Sequence, residues 1–379
     1  MKIFNKNEWK KVKLGDICEV LDSKRVPISE ENRIKGEYPY YGANGIQGYI
    51  NEYIFDEELV LLAEDGGNFG SKTKPIAYKI SGKTWVNNHA HVLKAKDEII
   101  STDFLLYSLM FYDVTKLITG TTRKKLTRAG MEKITLSIPT LSIQNKITDY
   151  LQKIESFISF RKHQLNSLKE LNKSLFTTMF GDIKTNDKNW KLFEIKEISN
   201  IITRGKTPKY ASSSNIFVIN QACIYWDKLK YENVKFHIED ESLLFLKNKD
   251  VLINSTGTGT LGRMNIIQNI IHEKFTIDSH VMLIRLKAEK TLPLYFINIF
   301  MNEKYQKDLL LKCVNGSTNQ IELSKEKFSK FKIPVPPIEL QNKFAERIEK
   351  IEKLKFEIEK SIEIAQNLYD SLISKYFDN

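Results

Sequence analysis

Three cysteines in 379 residues, Cys18, Cys223 and Cys313, stand far apart and form no C-x-x-C pair. That excludes a disulfide framework and a cysteine zinc site, and it suits a reducing compartment. Long apolar runs are also missing. Stretches such as 294–301 fall well short of the ~20 residues that span a bilayer. The opening MKIFNKNEWKKVK is too charged for the apolar core of a signal peptide. A cytoplasmic chain without membrane contact is expected.

Motifs for catalysis are equally scarce. GTGTLGRM at 257–264 has the glycines of a phosphate loop, but Arg263 stands where lysine is needed and Met264 where a hydroxyl is needed. SGKTW has Lys83 and Thr84, but Ala77 replaces the first glycine. The first stretch lacks the lysine and the hydroxyl and the second lacks the first glycine, so neither is expected to organise phosphates and Mg²⁺. The Asp/Asn-Pro-Pro-Tyr/Phe motif by which amino-methyltransferases hold a flipped adenine does not occur. His89 and His91 would share a metal only with further ligands that no motif supplies, so a turn entering a strand is the expected reading. No catalytic residue and no metal ligand is assigned.

What the chain does contain is a repetition. Trp9 opens WKKVKLGDICEV and Trp190 opens WKLFEIKEISNI. VLLAEDGG at 60–67 returns as VLINSTGT at 251–258, His91-Val92 as His280-Val281, and IPTLSIQNKI at 138–147 as VPPIELQNKF at 335–344. The offsets are 181, 191, 189 and 197 residues; they drift as loop lengths do while the order holds. So long a period rules out a solenoid and implies two copies of a domain followed by a helix. The formal net charge of +11, with a pI near 9.2, favours a polyanionic partner. The two long helical segments nearly cancel, which leaves most of that charge on the globular parts.

Within the first copy, 60–63, 76–80 and 92–94 pattern as strands and 102–116 as a helix. In the second, 217–220, 251–254 and 281–286 pattern as strands and 292–311 as a helix. Each copy then ends in a heptad seam. Ile147, Leu151, Ile154, Ile158, Arg161, Leu165, Leu168, Asn172, Leu175 and Met179 step by four and three. Phe344, Ile348, Ile351, Lys355, Ile358, Ile362, Ala365, Tyr369, Leu372 and Tyr376 do the same. Pro139 precedes the first seam, Pro334, Pro336 and Pro337 the second, and Gly181 closes the first. Two matched seams in one chain predict helices that pack on each other, antiparallel because the duplication makes the units equivalent. The expected fold is α+β with a pseudo-two-fold internal duplication. Two globular domains, 1–140 and 182–337, alternate with two long helices, 141–181 and 338–379, packed as an antiparallel coiled coil.

This layout resembles the specificity subunits of type I restriction-modification systems over essentially the whole chain. The proline-rich lead-ins IPTLSIQNKI and VPPIELQNKF, with Gln144 or Gln341 before a long helix, carry most of the likeness. Thr140 departs from the pattern where a second proline is expected. YPYYGANGIQGY, HVL and the turns TGTTRKKL and NGSTNQIEL add to it. The resemblance implies a non-catalytic subunit with two target-recognition domains, each reading half of a bipartite site in double-stranded DNA. It implies a helix pair that spaces the halves and docks two methyltransferase subunits, with restriction/translocase subunits joining where present. S-adenosylmethionine, ATP and Mg²⁺ are then expected on the partner subunits. The first seam is consistent with a spacer, since 147–179 spans roughly 48 Å as helix, roughly 14 base pairs of DNA.

Phosphate contacts need Lys, Arg or turn N–H groups, and base reading needs Arg, Asn, Gln or aromatic side chains. Candidates for DNA binding in the first copy are Lys24, Arg25, Tyr41, Asn44, Gln47, Lys72, Lys74, Arg123, Lys124 and Lys125. In the second they are Arg204, Lys206, Lys209, Gln221, Arg263, Asn265, Asn319 and Gln320. Arg123-Lys124-Lys125, in a turn that recurs at 318–321, is the leading phosphate clamp. Other readings are the specificity subunit of a fused restriction-methylation enzyme, a duplicated enzyme, and a coiled-coil scaffold that binds no DNA. The absent motifs count against the duplicated enzyme, and the basic globular parts against the scaffold.

Overall fold

A computed structural model describes residues 4–120, 124–257, 259–268, 270, 274–316 and 321–377. The chain divides into two compact units, 1–164 with 358–379, and 165–357. The two units repeat one topology. In the first, a four-stranded antiparallel sheet has the order Cys18–Val20, Ala90–Ala95, Leu59–Ala63, Ala77–Ile80. In the second, the order is Ser199–Arg204, Val281–Leu286, Val251–Asn254, Met264–Ile266. Each unit adds a second sheet built around a parallel pair: Tyr38–Gly42 with Lys83–Val86, and Ile216–Ile219 with Lys274–Ile277. A short ladder ties each unit's first strand to its last, Lys10–Lys13 to Thr135–Ile138 and Leu192–Glu194 to Lys332–Pro334.

Leu59–Ala63 and Val251–Asn254 are buried at every position, which explains the apolar runs at 59–63 and 251–253. Alternate residues serve two cores. Val60 and Leu62 face one, Leu59 and Leu61 the other; Val251 and Ile253 face one, Leu252 the other. The strands expected at 60–63, 251–254 and 281–286 form with nearly those bounds.

Two helices are shorter than their periodicity predicts. The one expected over 102–116 is Thr102–Met110, capped by the Ser101 hydroxyl, which accepts from Phe104 N–H at 3.3 Å. Beyond it Asp113 accepts from the N–H and hydroxyl of Thr115 (2.9 and 2.6 Å), a local bond set that competes with the helix ladder. The one expected over 292–311 is two helices, Pro293–Met301 and Glu303–Cys313. Asn302 breaks it by accepting from Lys304 and Tyr305 N–H (3.0 and 3.3 Å), capping the second piece.

The long helices run Leu141–Phe180 and Ile338–Phe377. Gly181 ends the first with φ +79°, its N–H bonded to the Thr177 carbonyl at 2.8 Å. None of the twenty seam positions is exposed. In the first unit the start of the first helix meets the end of the second. Ile147 and Leu151 share a core with Leu372, Tyr376 and Phe377, and Glu155 accepts from Tyr369 Oη (2.7 Å) and Tyr107 Oη (2.9 Å). In the second unit the ends are reversed, with Phe176 and Phe180 packed on Phe344 at ring separations of 5.5 and 5.2 Å. In both units, then, the helices run antiparallel. Neither is long and apolar enough to cross a membrane.

Candidate nucleic-acid interface

In the first unit several loops converge where the strand Leu59–Ala63 ends. The glycine-bearing loop 64–70 follows that strand. The turn 87–89 docks on it through Glu64 N–H to the His89 carbonyl (2.9 Å), and residues 124–126 through Leu126 N–H to the Glu64 carbonyl (2.7 Å). The hairpin of Tyr38–Gly42 and Gly45–Ile50 leans in, with Asn44 Nδ2 donating to the Gly66 carbonyl at 2.9 Å. Beneath the loops lies a charge cluster. Asp22, Glu64 and His91 bring their ligand atoms within 4.8 Å of one another, a donor set that would suit a cation. Positive charge is already there: Arg25 is 2.6 Å from Glu64 and 3.4 Å from Asp22, and Lys125 is 2.8 Å from Glu64. Burial pushes the Asp22 carboxyl up, but the His91 hydrogen bond and charge, the Val92 N–H and Arg25 outweigh it and hold it below the ordinary range. Glu64 is likewise pushed up by burial and held low by Lys125 and Arg25.

The second unit builds the same place from different side chains. Ser255 N–H bonds the His280 carbonyl (2.9 Å) and Leu323 N–H bonds the Ser255 carbonyl (2.8 Å). These bonds correct one equivalence drawn from the sequence. His91-Val92 was matched to His280-Val281, but Leu62 pairs with His91 whereas Ile253 pairs with Met282. The partner of His280 is His89. Each accepts at its carbonyl from the residue after the central strand, and each donates its N–H to the side chain two residues earlier, Asn87 (2.8 Å) or Asp278 (2.9 Å). The His-Val dipeptide coincides in letters two residues out of register. A uniform offset of 191 from the VLL and VLI landmarks would have found the match.

Of the residues picked for DNA contact, Lys72, Lys74 and Lys124 are exposed on loops, and Lys24 is exposed at the end of the 3-10 turn Asp22–Lys24. Tyr41 is half-buried against Tyr78 (5.8 Å between rings), and Gln47 accepts from Asn87 Nδ2 at 3.0 Å. Arg25, Asn44, Gln47 and Lys125 thus gather around one strand end, though Arg25 and Lys125 are engaged by carboxylates. In the second unit Arg204 binds the Glu322 carboxylate and the Leu323 carbonyl. Lys206 is exposed and bridges Asp278 through its backbone. Gln221 receives the Asn254 amide at its carbonyl (3.1 Å). Arg263 lies 5.0 Å over the Tyr225 ring and Asn265 donates to the Tyr225 carbonyl (2.7 Å). Lys209 belongs instead to the other sheet's edge, where its N–H donates to His237 Nε2 (3.0 Å). Arg123, Asn319 and Gln320 lie outside the described residues, as does most of the turn at 318–321. The paired position at the foot of that turn carries Lys125 in one unit and Glu322 in the other, bridging Asp65 and Thr256. The basic clamp is therefore not repeated there. The residues picked for DNA contact from the sequence did not include His89, which was weighed only as a metal ligand, His280, which served only as a repeat landmark, or Asp65 and Thr256.

The family described as the type I restriction modification DNA specificity domain matches residues 6–170 and again 187–366. The chain belongs to that family. It is a type I specificity subunit with two target-recognition domains, and the two matches follow the duplication seen in the sheets. A chain of Haemophilus influenzae described as a type I restriction enzyme specificity subunit is 27% identical over 371 residues, 94% of this chain and 91% of its own length. The specificity subunit of the MjaVIII enzyme of Methanocaldococcus jannaschii is 24% identical, covering 92% and 87%. Among solved structures, the specificity subunit from M. genitalium superposes with a TM-score of 0.61 at 13% identity, covering 100% of this chain and 98% of that one. A second, from work on assembly and conformational transition of a type I system, gives 0.58 at 15%, covering 97% of each. At such identities these two structures speak for the fold of the specificity subunit alone.

Proposed function

We propose that each unit of this specificity subunit reads one half of a bipartite site in double-stranded DNA, through the loops gathered at the end of its central strand. One observation carries the reading: a single backbone arrangement presents different side chains in its two copies. Asp65 and Lys125 in the first correspond to Thr256 and Glu322 in the second. A repeated frame with altered surface chemistry is what two readers of different sequences require, and the formal charge of +11 suits a phosphate backbone.

In the same reading the long helices separate the half-sites and dock two methyltransferase subunits. Exposed Phe157 and Phe160 in the first unit and Leu354 and Phe356 in the second offer apolar surface for that docking. Methyl transfer with S-adenosylmethionine, and ATP- and Mg²⁺-dependent translocation and cleavage, then fall to the methyltransferase and restriction subunits, in the cytoplasm. The test is an exchange of residues 1–140 for the corresponding unit of a relative, followed by genome-wide mapping of methylated adenines. One half of the motif should change and the other persist. A change in both halves at once would defeat the reading.

A further inference from the structure

His280 and His91 show two opposite ways of holding a histidine. His91 is 1% exposed, with Nδ1 2.6 Å from Asp22 and Nε2 2.8 Å from the Leu126 carbonyl; it is part of the framework. His280 is exposed, although its backbone is fixed on both sides. Its N–H donates to Asp278 (2.9 Å), and its carbonyl accepts from the N–H and the hydroxyl of Ser255 (2.9 Å each). Its ring is held at one nitrogen, Nδ1, 2.9 Å from Thr256 Oγ1.

The Thr256 hydroxyl also lies 3.5 Å from Gln221 Oε1, which only accepts. A hydroxyl proton directed to Gln221 makes Thr256 the acceptor of Nδ1–H. In the neutral ring Nε2 is then left with a lone pair.

We infer that His280 is a base-reading residue of the second half-site, its Nε2 accepting from the exocyclic amino group of an adenine or a cytosine in the major groove. Thr256 is the positioning residue that holds the ring in this tautomer. A lone pair repels phosphate oxygens and needs a donor, and the major groove offers adenine N6 and cytosine N4. The inference rests on the half-site reading above.

The experiment uses the assembled methyltransferase complex with the wild-type chain, His280→Ala or Thr256→Val. Methylation is measured on duplexes in which each base pair of the wild-type site is changed singly. His280→Ala should lose ~10-fold of discrimination at one base pair of the second half-site. The first half-site and the salt dependence of non-specific binding should be unaltered. Thr256→Val, which keeps the side chain's shape, should weaken discrimination at that same pair, and it decides the matter if His280→Ala fails to fold. Unchanged discrimination throughout the second half-site overturns the inference, as does a uniform loss of affinity with a flatter salt slope. A wild-type complex without any two-part site would instead bring down the half-site reading itself.

Discussion

Gln341 makes in the second unit the same three hydrogen bonds that Gln144 makes in the first. Gln144 Oε1 accepts from Ser101 N–H (3.0 Å), while its Nε2 donates to the Ile99 and Pro139 carbonyls (2.9 Å each). Gln341 Oε1 accepts from Leu292 N–H (2.8 Å), while its Nε2 donates to the Lys290 and Pro336 carbonyls (3.0 and 2.9 Å). Both side chains are 0% exposed. Each glutamine joins the start of a long helix to the loop that leads into its own unit's domain helix. This bond set fixes how helix and domain meet, and it explains why glutamine stands at this point in both lead-ins.

Replacing either glutamine by leucine keeps much of the volume but leaves a buried N–H and two carbonyls without partners. Each replacement should destabilise its own unit by at least about 1–3 kcal/mol. Urea unfolding followed by tryptophan fluorescence would measure it. A change within error would mean that water substitutes for the amide.

The acid limb of stability should depend on the cluster under the first unit's loops. Asp22 and Glu64 have folded-state pKa values below their unfolded ones. Their contribution is therefore complete above the unfolded carboxylate range, near pH 4, and is lost as pH falls through the lower folded values. Melting temperatures between pH 2.5 and 6 should fall less steeply in Asp22→Asn than in the wild type. Parallel curves would show that the cluster does not govern acid unfolding.

Phosphate contact should reside in the exposed lysines more than in the engaged ones. Changing Lys72, Lys74 and Lys124 to alanine should weaken binding to all sequences alike and flatten the slope of log K against log[salt] by roughly 2–3 on B-DNA. Lys125→Ala removes a partner of Glu64 at 2.8 Å and should reveal itself first as lost thermal stability. A slope left intact by the triple change would turn these loops away from the backbone.

Local information in the chain was enough for the long helices and for the duplication. A seam stepping by four and three residues, proline before each helix and Gly181 after the first act within a few residues of one another, and no partner is needed to specify them. The apolar runs at 60–63 and 251–253 marked strands for the same reason; that both faces are buried came from the packing. Tertiary structure alone decided what depends on register between distant segments. It paired His280 with His89, because Ile253 lies opposite Met282, and a matching dipeptide carries no record of which strand it faces. It committed Arg25 to Glu64, 39 residues away, and Arg204 to Glu322, 118 residues away. Charge in a sequence does not say whether a carboxylate will arrive beside it. Asn302 stopped a helix that periodicity would have continued, since a side chain able to cap competes with the next turn. Periodicity is written along the chain, whereas pairing is written between chain segments and appears only once they meet.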